Sequence, residues 1–155
     1  MLLDIKRPIR FGSLESGFRC AQAADATLLH RVIDEACVYF NIQGEAAKAK
    51  IRQFIECGAW TDATLALLEL DLPQWKLRRL LYEDGEWHCA LSKQPALPFG
   101  YDERVETSHE CPTLAILLAL VEARRAVRAT VGHASTVPPI SARPGHAVCA
   151  TISPD

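Results

Sequence analysis

The spacing of apolar positions predicts two amphipathic helices in the first third of the chain. Apolar side chains over 28–40 recur every three or four residues, as on one face of a helix, and Asp25 or Thr27 can cap its start. A second helix is predicted over 45–56, followed by Gly58 in the position that favours glycine. The residues expected to be buried are Leu28, Leu29, Val32, Ile33, Cys37 and Phe40 in the first helix and Ala47, Ile51, Phe54 and Ile55 in the second.

The third helix is apolar on almost its whole circumference. Leucine and alanine dominate 63–72, and we expect the helix to begin at Thr61 or Asp62 and to stop before Pro73. A helix with so little polar surface must be covered on more than one side, so it should lie at the centre of the fold. A fourth helix, also strongly buried, is predicted from residue 112 to about residue 129, with a proline at its favoured first position.

Between these last two helices, over 75–92, the pattern changes to strands that turn at Asp84-Gly85, a strong hairpin signal. The expected partners are Tyr82–Trp87, Leu80–Cys89 and Arg78–Leu91 on one face, and Leu81–His88 and Arg79–Ala90 on the other. The first face is the apolar one and should pack on helices, so Trp87→Ala is expected to cost about 3–5 kcal/mol. Of the consecutive Arg78 and Arg79, one must share a face with apolar neighbours unless a bulge intervenes.

A hairpin alone is marginal in water, so this one needs a third strand or a layer of helices. The candidates for a third strand are residues 5–11, the segment near 104–107, and the same hairpin of another copy. Pro8 would confine the first of these to a sheet edge. The last would form a dimer by edge pairing.

Together these elements predict an α+β fold, with four helices packed on a small antiparallel β-hairpin sheet. A chain of 155 residues can bury one core and is too short for two domains. We place the domain at 25–129, after an N-terminal segment at 1–24. Residues 130–155 contain several prolines and no apolar period, which predicts a disordered tail.

Net charge and cysteine usage indicate which partners and which compartment to expect for this protein. The formal net charge of −2 argues against a protein that works on nucleic acid or anionic lipid. No signal segment or membrane-length apolar run is visible, and the six cysteines never form a Cys-x-x-Cys pair, so we expect reduced thiols in a cytoplasm. The basic cluster Arg124, Arg125 and Arg128 is interpreted as the end of a helix, where cations are favoured.

The clustered soft ligands are His88-Cys89 and His109-x-Cys111. His88, His109 and Cys111 would have to approach one another to hold zinc, whereas His88 and Cys89, as adjacent strand residues, point to opposite faces. Cys111 precedes a helix N-terminus, which lowers a thiol pKa, and His109 is two residues away. The pattern is more typical of structural residues, so we assign no catalytic, cofactor-binding or metal-ligating residue and expect no cofactor.

The first two helices also have the order of a helix-turn-helix, with residues 41–44 between them. Lys48, Lys50 and Arg52 of the helix at 45–56 would then face DNA. The alternative is a solvated helix face balanced by Glu45 and Glu56, which the acidic chain favours.

The middle of the chain has the order apolar helix, proline, tryptophan, hairpin and leucine-rich helix, at Ala63-Thr64-Leu65-Ala66-Leu67, Pro73-Gln74-Trp75, Asp84-Gly85-Glu86-Trp87 and Thr113-Leu114-Ala115-Ile116-Leu117-Leu118-Ala119. This order resembles that of small uncharacterised bacterial and phage-derived proteins with a helix–β-hairpin–helix, sandwich-like arrangement. The matching residues are structural, so the resemblance implies helices around a small antiparallel sheet and no catalytic residues.

These observations favour a non-catalytic protein-interaction or regulatory module that binds a protein partner, or itself, through the hairpin edge. One alternative is a DNA-associated regulator that uses the helix at 45–56. The other is a metal or thiol enzyme built on the histidines and cysteines described above.

Overall fold

The computed structural model describes residues 11–37, 40, 42, 44–98 and 102–133. The elements are α1 (Phe11–Cys20), α2 (Ala26–Glu35), α3 (Glu45–Glu56), α4 (Trp60–Asp71), β1 (Lys76–Glu83), β2 (Glu86–Ser92), β3 (Arg104–His109) and α5 (Pro112–His133). The fold is α+β, as predicted. The described residues form five helices rather than four, and the hairpin gains a third strand, giving an antiparallel sheet of order β1-β2-β3.

Helix α5 lies at the centre of the fold. It packs against β2 and β3 on one side, and against α1 and α4 on the other. Every residue over 114–121 is at most 1% exposed, because the sheet and the other helices together surround this part of α5. The prediction that α4 is covered on more than one side is confirmed, since α3 and α5 both pack against it. The central helix, however, is α5 and not α4, and several apolar residues of α4 are only partly buried.

Helix α1 was missed in the sequence. Residues 5–11 were a candidate strand, but Phe11 is the first residue of α1, and 5–10 lie outside the described residues. Glycines within the segment obscured its helical spacing, although Leu14 and Phe18, four residues apart, are both fully buried. They are the helical signal in this segment.

The predicted helix ends are mostly confirmed. The Asp25 carboxylate accepts a hydrogen bond from the Leu28 amide at 2.8 Å and so caps α2. Gly58, with φ +71°, follows α3 as predicted. The Gly58 and Ala59 amides donate to carbonyl oxygens of the last turn, at 3.1 and 2.9 Å, in a Schellman motif.

Two helix lengths differ from the prediction. Helix α2 ends at Glu35, earlier than the apolar spacing up to residue 40 indicates. Helix α5 continues to His133, so 130–133 are helical rather than part of a tail, and the rest of the predicted tail lies outside the described residues. No described helix combines the length and the hydropathy needed to cross a bilayer.

The hairpin turns at Asp84-Gly85, as predicted. Both residues have positive φ, 52° and 88°, as a two-residue type I′ turn requires. The predicted register holds from Glu83–Glu86 to Arg79–Ala90, and the register then shifts between Leu77 and Arg79. Leu77, not Arg78, is therefore opposite Leu91, because a bulge lies at Arg78.

The apolar face of the hairpin is buried only in part. Cys89 and Leu91 on β2 are buried against the helices, at 1% and 0% exposure. Near the turn, Trp87 is only partly buried and Tyr82 is 60% exposed, which contradicts the prediction that this whole face packs on helices. The reason is that α5 packs against β2 and β3, which leaves much of β1 exposed to solvent.

Candidate functional site

The histidines and cysteines singled out in the sequence do not converge. His88 is opposite Ser108 and His109 is opposite Trp87, so the two histidines point to opposite faces of the sheet. Among the described residues, no group of three potential ligands is close enough to hold a metal ion.

The alternative of a reactive Cys111 thiol beside His109 requires a contact between the two side chains, but the hydrogen bond that joins these residues comes from the Cys111 backbone. The Cys111 amide donates to His109 Nδ1 at 2.9 Å, and the Cys111 carbonyl accepts the first hydrogen bond of α5 from Ala115. His109 Nδ1 therefore accepts a hydrogen bond from the backbone at the start of α5, which is a structural role.

Two other cysteines are buried in apolar surroundings. Burial raises the pKa of the Cys89 thiol to about 12 and raises the pKa of the Cys37 thiol well above its ordinary value. Because the thiolate is the nucleophile and the metal ligand, both side chains behave as small hydrophobic residues.

The basic residues of α3 do not form one exposed row. Lys48 lies 3.3 Å from Glu45 with only 12% of its side chain exposed. Arg52 also contacts Glu45, at 3.5 Å, and the Lys50 ammonium lies over the Phe54 ring at 5.7 Å. The Glu45 carboxylate therefore balances much of the charge that a DNA-binding helix would present to phosphates.

The face of the sheet turned away from the helices carries a shallow polar depression. It has a volume of about 190 Å³ and is lined by side chains that include Arg79, His88, Glu106 and Ser108. Sites for drug-sized ligands are usually larger, roughly 300–1,000 Å³, and mostly apolar. The depression therefore does not resemble a small-molecule site.

The segment 79–83 of β1, which lies at one edge of the sheet, is here termed the β1 edge. Arg79 and Glu83 are exposed, and neither makes an ion pair with another described residue. Between them, Leu80 and Leu81 are partly buried and Tyr82 is 60% exposed. Within the described residues β1 pairs only with β2, so the outer side of this segment has no neighbouring strand.

Backbone geometry makes the β1 edge competent to bind a strand. In a two-residue hairpin the residues that flank the turn form a hydrogen-bonded pair, and such pairs then alternate along the ladder. From the observed register, Glu83, Leu81 and Arg79 direct their backbone groups to β2. Leu80 and Tyr82 therefore direct N–H and C=O groups outward, where an added strand can bind them.

The bulge fixes where the β1 edge ends. Arg78 Nη1 lies 2.7 Å from Asp102 Oδ2, and Arg78 Nη2 donates to the Leu97 carbonyl at 3.2 Å. Asp102 also accepts hydrogen bonds from the Ser92 hydroxyl and, at 3.0 Å, from the backbone N–H of Gln94. These contacts hold the loop after β2 against the start of β1, and the regular part of the edge begins only at Arg79.

The sequence could have indicated part of this arrangement. Two consecutive arginines in a strand with apolar neighbours predict either a bulge or a charge on the apolar face, and the structure has the bulge. Asp102 lies 24 residues from Arg78 in a predicted loop, and nothing in its local pattern identifies it as the partner.

Comparisons with protein families, curated proteins and solved structures found no match to this chain. The resemblance to helix–β-hairpin–helix proteins therefore stays a prediction, and the functional argument depends on the geometry of the β1 edge.

Proposed function

We propose that this protein is a non-catalytic interaction module that binds a polypeptide strand along the β1 edge. The observation that carries the proposal is an edge strand with outward backbone groups at Leu80 and Tyr82 and a Tyr82 side chain that is 60% exposed. An extended segment that adds to a sheet edge gains main-chain hydrogen bonds, and its alternate side chains supply specificity.

The charges of the β1 edge suit a binding surface better than a solvated strand. Its two ends carry the exposed Arg79 and Glu83, and the side chains between them are apolar. Aromatic residues and arginine are enriched at protein interfaces. A partner strand with an acidic residue opposite Arg79 and a basic residue opposite Glu83 would complement this pattern.

The proposal places the protein in the cytoplasm, in agreement with its widely spaced cysteines. The five described cysteines are free thiols, as binding through backbone groups permits. Neither metal nor thiol chemistry is part of the proposed activity.

Site-specific photo-crosslinking tests the proposal. A photoreactive phenylalanine replaces Tyr82 in cells that carry the native gene, and the control carries it at Arg52, which is 54% exposed on α3. We expect discrete protein adducts from position 82 and a different or empty pattern from position 52. If position 82 gives no adduct above the control, the β1 edge is not a binding surface and the proposal fails.

A further inference from the structure

The β1 edge is chemically self-complementary. Read from Arg79 to Glu83 it is basic, apolar, apolar, apolar and acidic, and an antiparallel copy presents the same pattern in reverse. When two such strands are centred on the same residue, each basic end meets an acidic end. From this pattern we infer that the strand bound by the β1 edge is the β1 edge of a second copy, paired antiparallel about Leu81; the inference rests on the proposed function.

In this register the side-chain pairs and the backbone hydrogen-bonding pattern agree with each other. Leu81 lies opposite Leu81 of the second copy, Leu80 opposite Tyr82, and Arg79 opposite Glu83, with each of the last two pairs formed twice. The backbone groups of Leu80 and Tyr82 point outward, so both Leu80–Tyr82 pairs are hydrogen-bonded pairs. Leu81–Leu81 is then the non-hydrogen-bonded pair between them, as antiparallel ladders require.

The faces of the two sheets also match. Opposed residues in an antiparallel pair point to the same side of a sheet. Because side chains alternate between the two faces along β1, an even-numbered residue must be opposite an even-numbered one, and an odd-numbered residue opposite an odd-numbered one. Arg79 and Glu83 share the face turned away from the helices with Leu81, and Leu80 and Tyr82 share the helix-side face. The register centred on Leu81 satisfies this condition at every pair.

Neighbouring registers lose the charge complementarity. A shift by one residue puts opposed side chains on different faces. Pairing centred on Leu80 puts Arg79 opposite Leu81 and brings Tyr82 against the bulge at Arg78. Pairing centred on Tyr82 puts Glu83 opposite Leu81. The centre at Leu81 is the one that pairs arginine with glutamate twice.

Among the described helices, none packs extensively against β1. In this pairing the two-fold axis runs perpendicular to the sheet, midway between the two Leu81 residues, so both helical layers lie on the same side of a six-stranded sheet. Helix α5 packs over β2 and β3, which leaves the exposed Tyr82 of each copy free to pack on Leu80 of the other. The Arg78 guanidinium is bound to Asp102 and to the Leu97 carbonyl, so it does not compete for Glu83.

Charge-reversal variants test this pairing by sedimentation equilibrium at low salt, where exposed ion pairs are least screened. The parent is expected to approach twice the chain mass as its concentration rises. Arg79→Glu and Glu83→Arg each place like charges opposite one another twice, and each should raise the dimer dissociation constant at least tenfold. Arg52→Glu and Glu56→Arg make the same charge changes on the exposed surface of α3 and should leave the dissociation constant unchanged.

Mixing the two single variants supplies the decisive measurement. If dimerisation is regained in the mixture, both variants must be folded, so their weaker self-association is not due to misfolding. An equimolar mixture of Arg79→Glu and Glu83→Arg restores both ion pairs across a heterodimer, and the double variant restores them within a homodimer. Both samples should regain the parent dissociation constant. Single variants that dimerise like the parent, or a mixture and double variant that stay monomeric, would overturn the pairing.

The two proposals fail separately. A parent chain that stays monomeric at all concentrations overturns self-pairing, and if position 82 still crosslinks to a different protein, the proposed function stands with another occupant. If position 82 crosslinks to a second copy and the charge variants behave as described, both are supported. Absence of any adduct at position 82 together with a monomeric parent removes both.

Discussion

Arg78 and Asp102 form an ion pair next to the start of β1, with the guanidinium Nη1 2.7 Å from the carboxylate Oδ2. The Asp102 side chain is fully shielded from solvent and that of Arg78 is 17% exposed. Because the bulge at Arg78 brings its side chain to Asp102, the ion pair and the shift in strand register are one feature. It joins β1, the last residue of β2 and the loop that leads to β3.

Asp102→Asn is expected to destabilise the fold in a pH-dependent way. Hydrogen bonds from the Ser92 hydroxyl, the Gln94 amide and Arg78 lower the pKa of Asp102 below its ordinary value. A carboxyl whose folded pKa is below its unfolded value of about 3.9 stabilises the fold above that pH, and the contribution is lost as the pH falls through the folded pKa. Urea unfolding should therefore show a difference between parent and variant at pH 6 that shrinks below about pH 4.

Glu103→Gln is the matched control for that experiment. Glu103 is adjacent in sequence and lies 2.8 Å from Lys93, but its side chain is 46% exposed. Exposed ion pairs contribute about 0–1 kcal/mol, so this variant should unfold close to the parent at both pH values. Equal pH profiles for Asp102→Asn and Glu103→Gln would contradict the structural role of Asp102.

Trp75 should matter more to stability than Trp87. The Trp75 side chain is 1% exposed and belongs to the main core, whereas Trp87 is only partly buried. Trp75→Ala is expected to lower the free energy of unfolding by about 3–5 kcal/mol. Trp87→Ala should lower it by less, contrary to the expectation from the sequence. Denaturant unfolding of both variants ranks them, and the reverse order would show that the turn end of the sheet is better packed than the structure indicates.

The buried ion pair between Arg124 and Asp71 supplies a third prediction. Arg124 Nη2 lies 3.3 Å from Asp71 Oδ1, and Arg124 Nε donates to the Ala36 carbonyl at 3.2 Å. The two side chains are 6% and 0% exposed. Arg124→Met deprives a buried carboxylate of this guanidinium and is expected to cost about 3–5 kcal/mol, since breaking a buried pair leaves a charge uncompensated.

The double variant Asp71→Leu/Arg124→Met tests the same point in the opposite direction. It removes both charges and keeps an apolar volume, so it should be less destabilised than Arg124→Met alone. Arg128→Met is the control, because Arg128 is exposed and lies over the Phe11 ring at 5.7 Å. A double variant less stable than the single one would mean that the carboxylate is held by other groups as strongly as by Arg124.

The same arginine shows what the sequence could not reveal. The sequence places Arg124, Arg125 and Arg128 at the end of a helix, but α5 continues to His133 and Arg124 is buried in the core. Arg125 binds Glu15 of α1 at 3.1 Å, and the hydrogen bonds from Arg125 and Arg19 lower the pKa of Glu15. The Arg124–Asp71 and Arg125–Glu15 contacts depend on tertiary packing between elements far apart in the chain, which no local pattern encodes.

The local parts of the fold could be predicted. The Asp84-Gly85 turn fixes the hairpin register because only residues that tolerate positive φ fit a type I′ turn. Gly58 and Asp25 end and begin helices through hydrogen bonds within a few residues. The third strand was one of three candidates in the sequence, and the structure confirms the segment near 104–107, which forms part of β3.

The β1 edge was also visible only in part. The sequence indicates an apolar hairpin with open edges, but the exposure of Tyr82 follows from the position of α5 over β2 and β3. The self-complementary centre at Leu81 becomes apparent once the bulge removes Arg78 from the regular strand. The proposed register of the edge pairing therefore depends on the contact between Arg78 and Asp102, and Asp102 lies outside the hairpin.

A cysteine at position 81 should report the proposed pairing directly. In the register centred on Leu81, the two copies of this residue form a non-hydrogen-bonded pair with Cα atoms about 4.5 Å apart. That separation lies within the range of about 4.4–6.8 Å that disulfides span. Leu81→Cys should therefore form a disulfide-linked dimer under mild oxidation, in a background where Cys20, Cys57 and Cys149 are serine. Non-reducing gel electrophoresis measures the linked fraction over time.

Arg79→Cys in the same background is the matched control. In this register position 79 faces position 83 of the second copy, so the two cysteines are separated by four residues along the strands, roughly 13 Å. This variant should crosslink far more slowly than Leu81→Cys, because a disulfide cannot span that distance. Faster crosslinking at position 79 than at 81 would show that the edges meet in a different register. Equal slow rates at both positions would show that the edges do not meet.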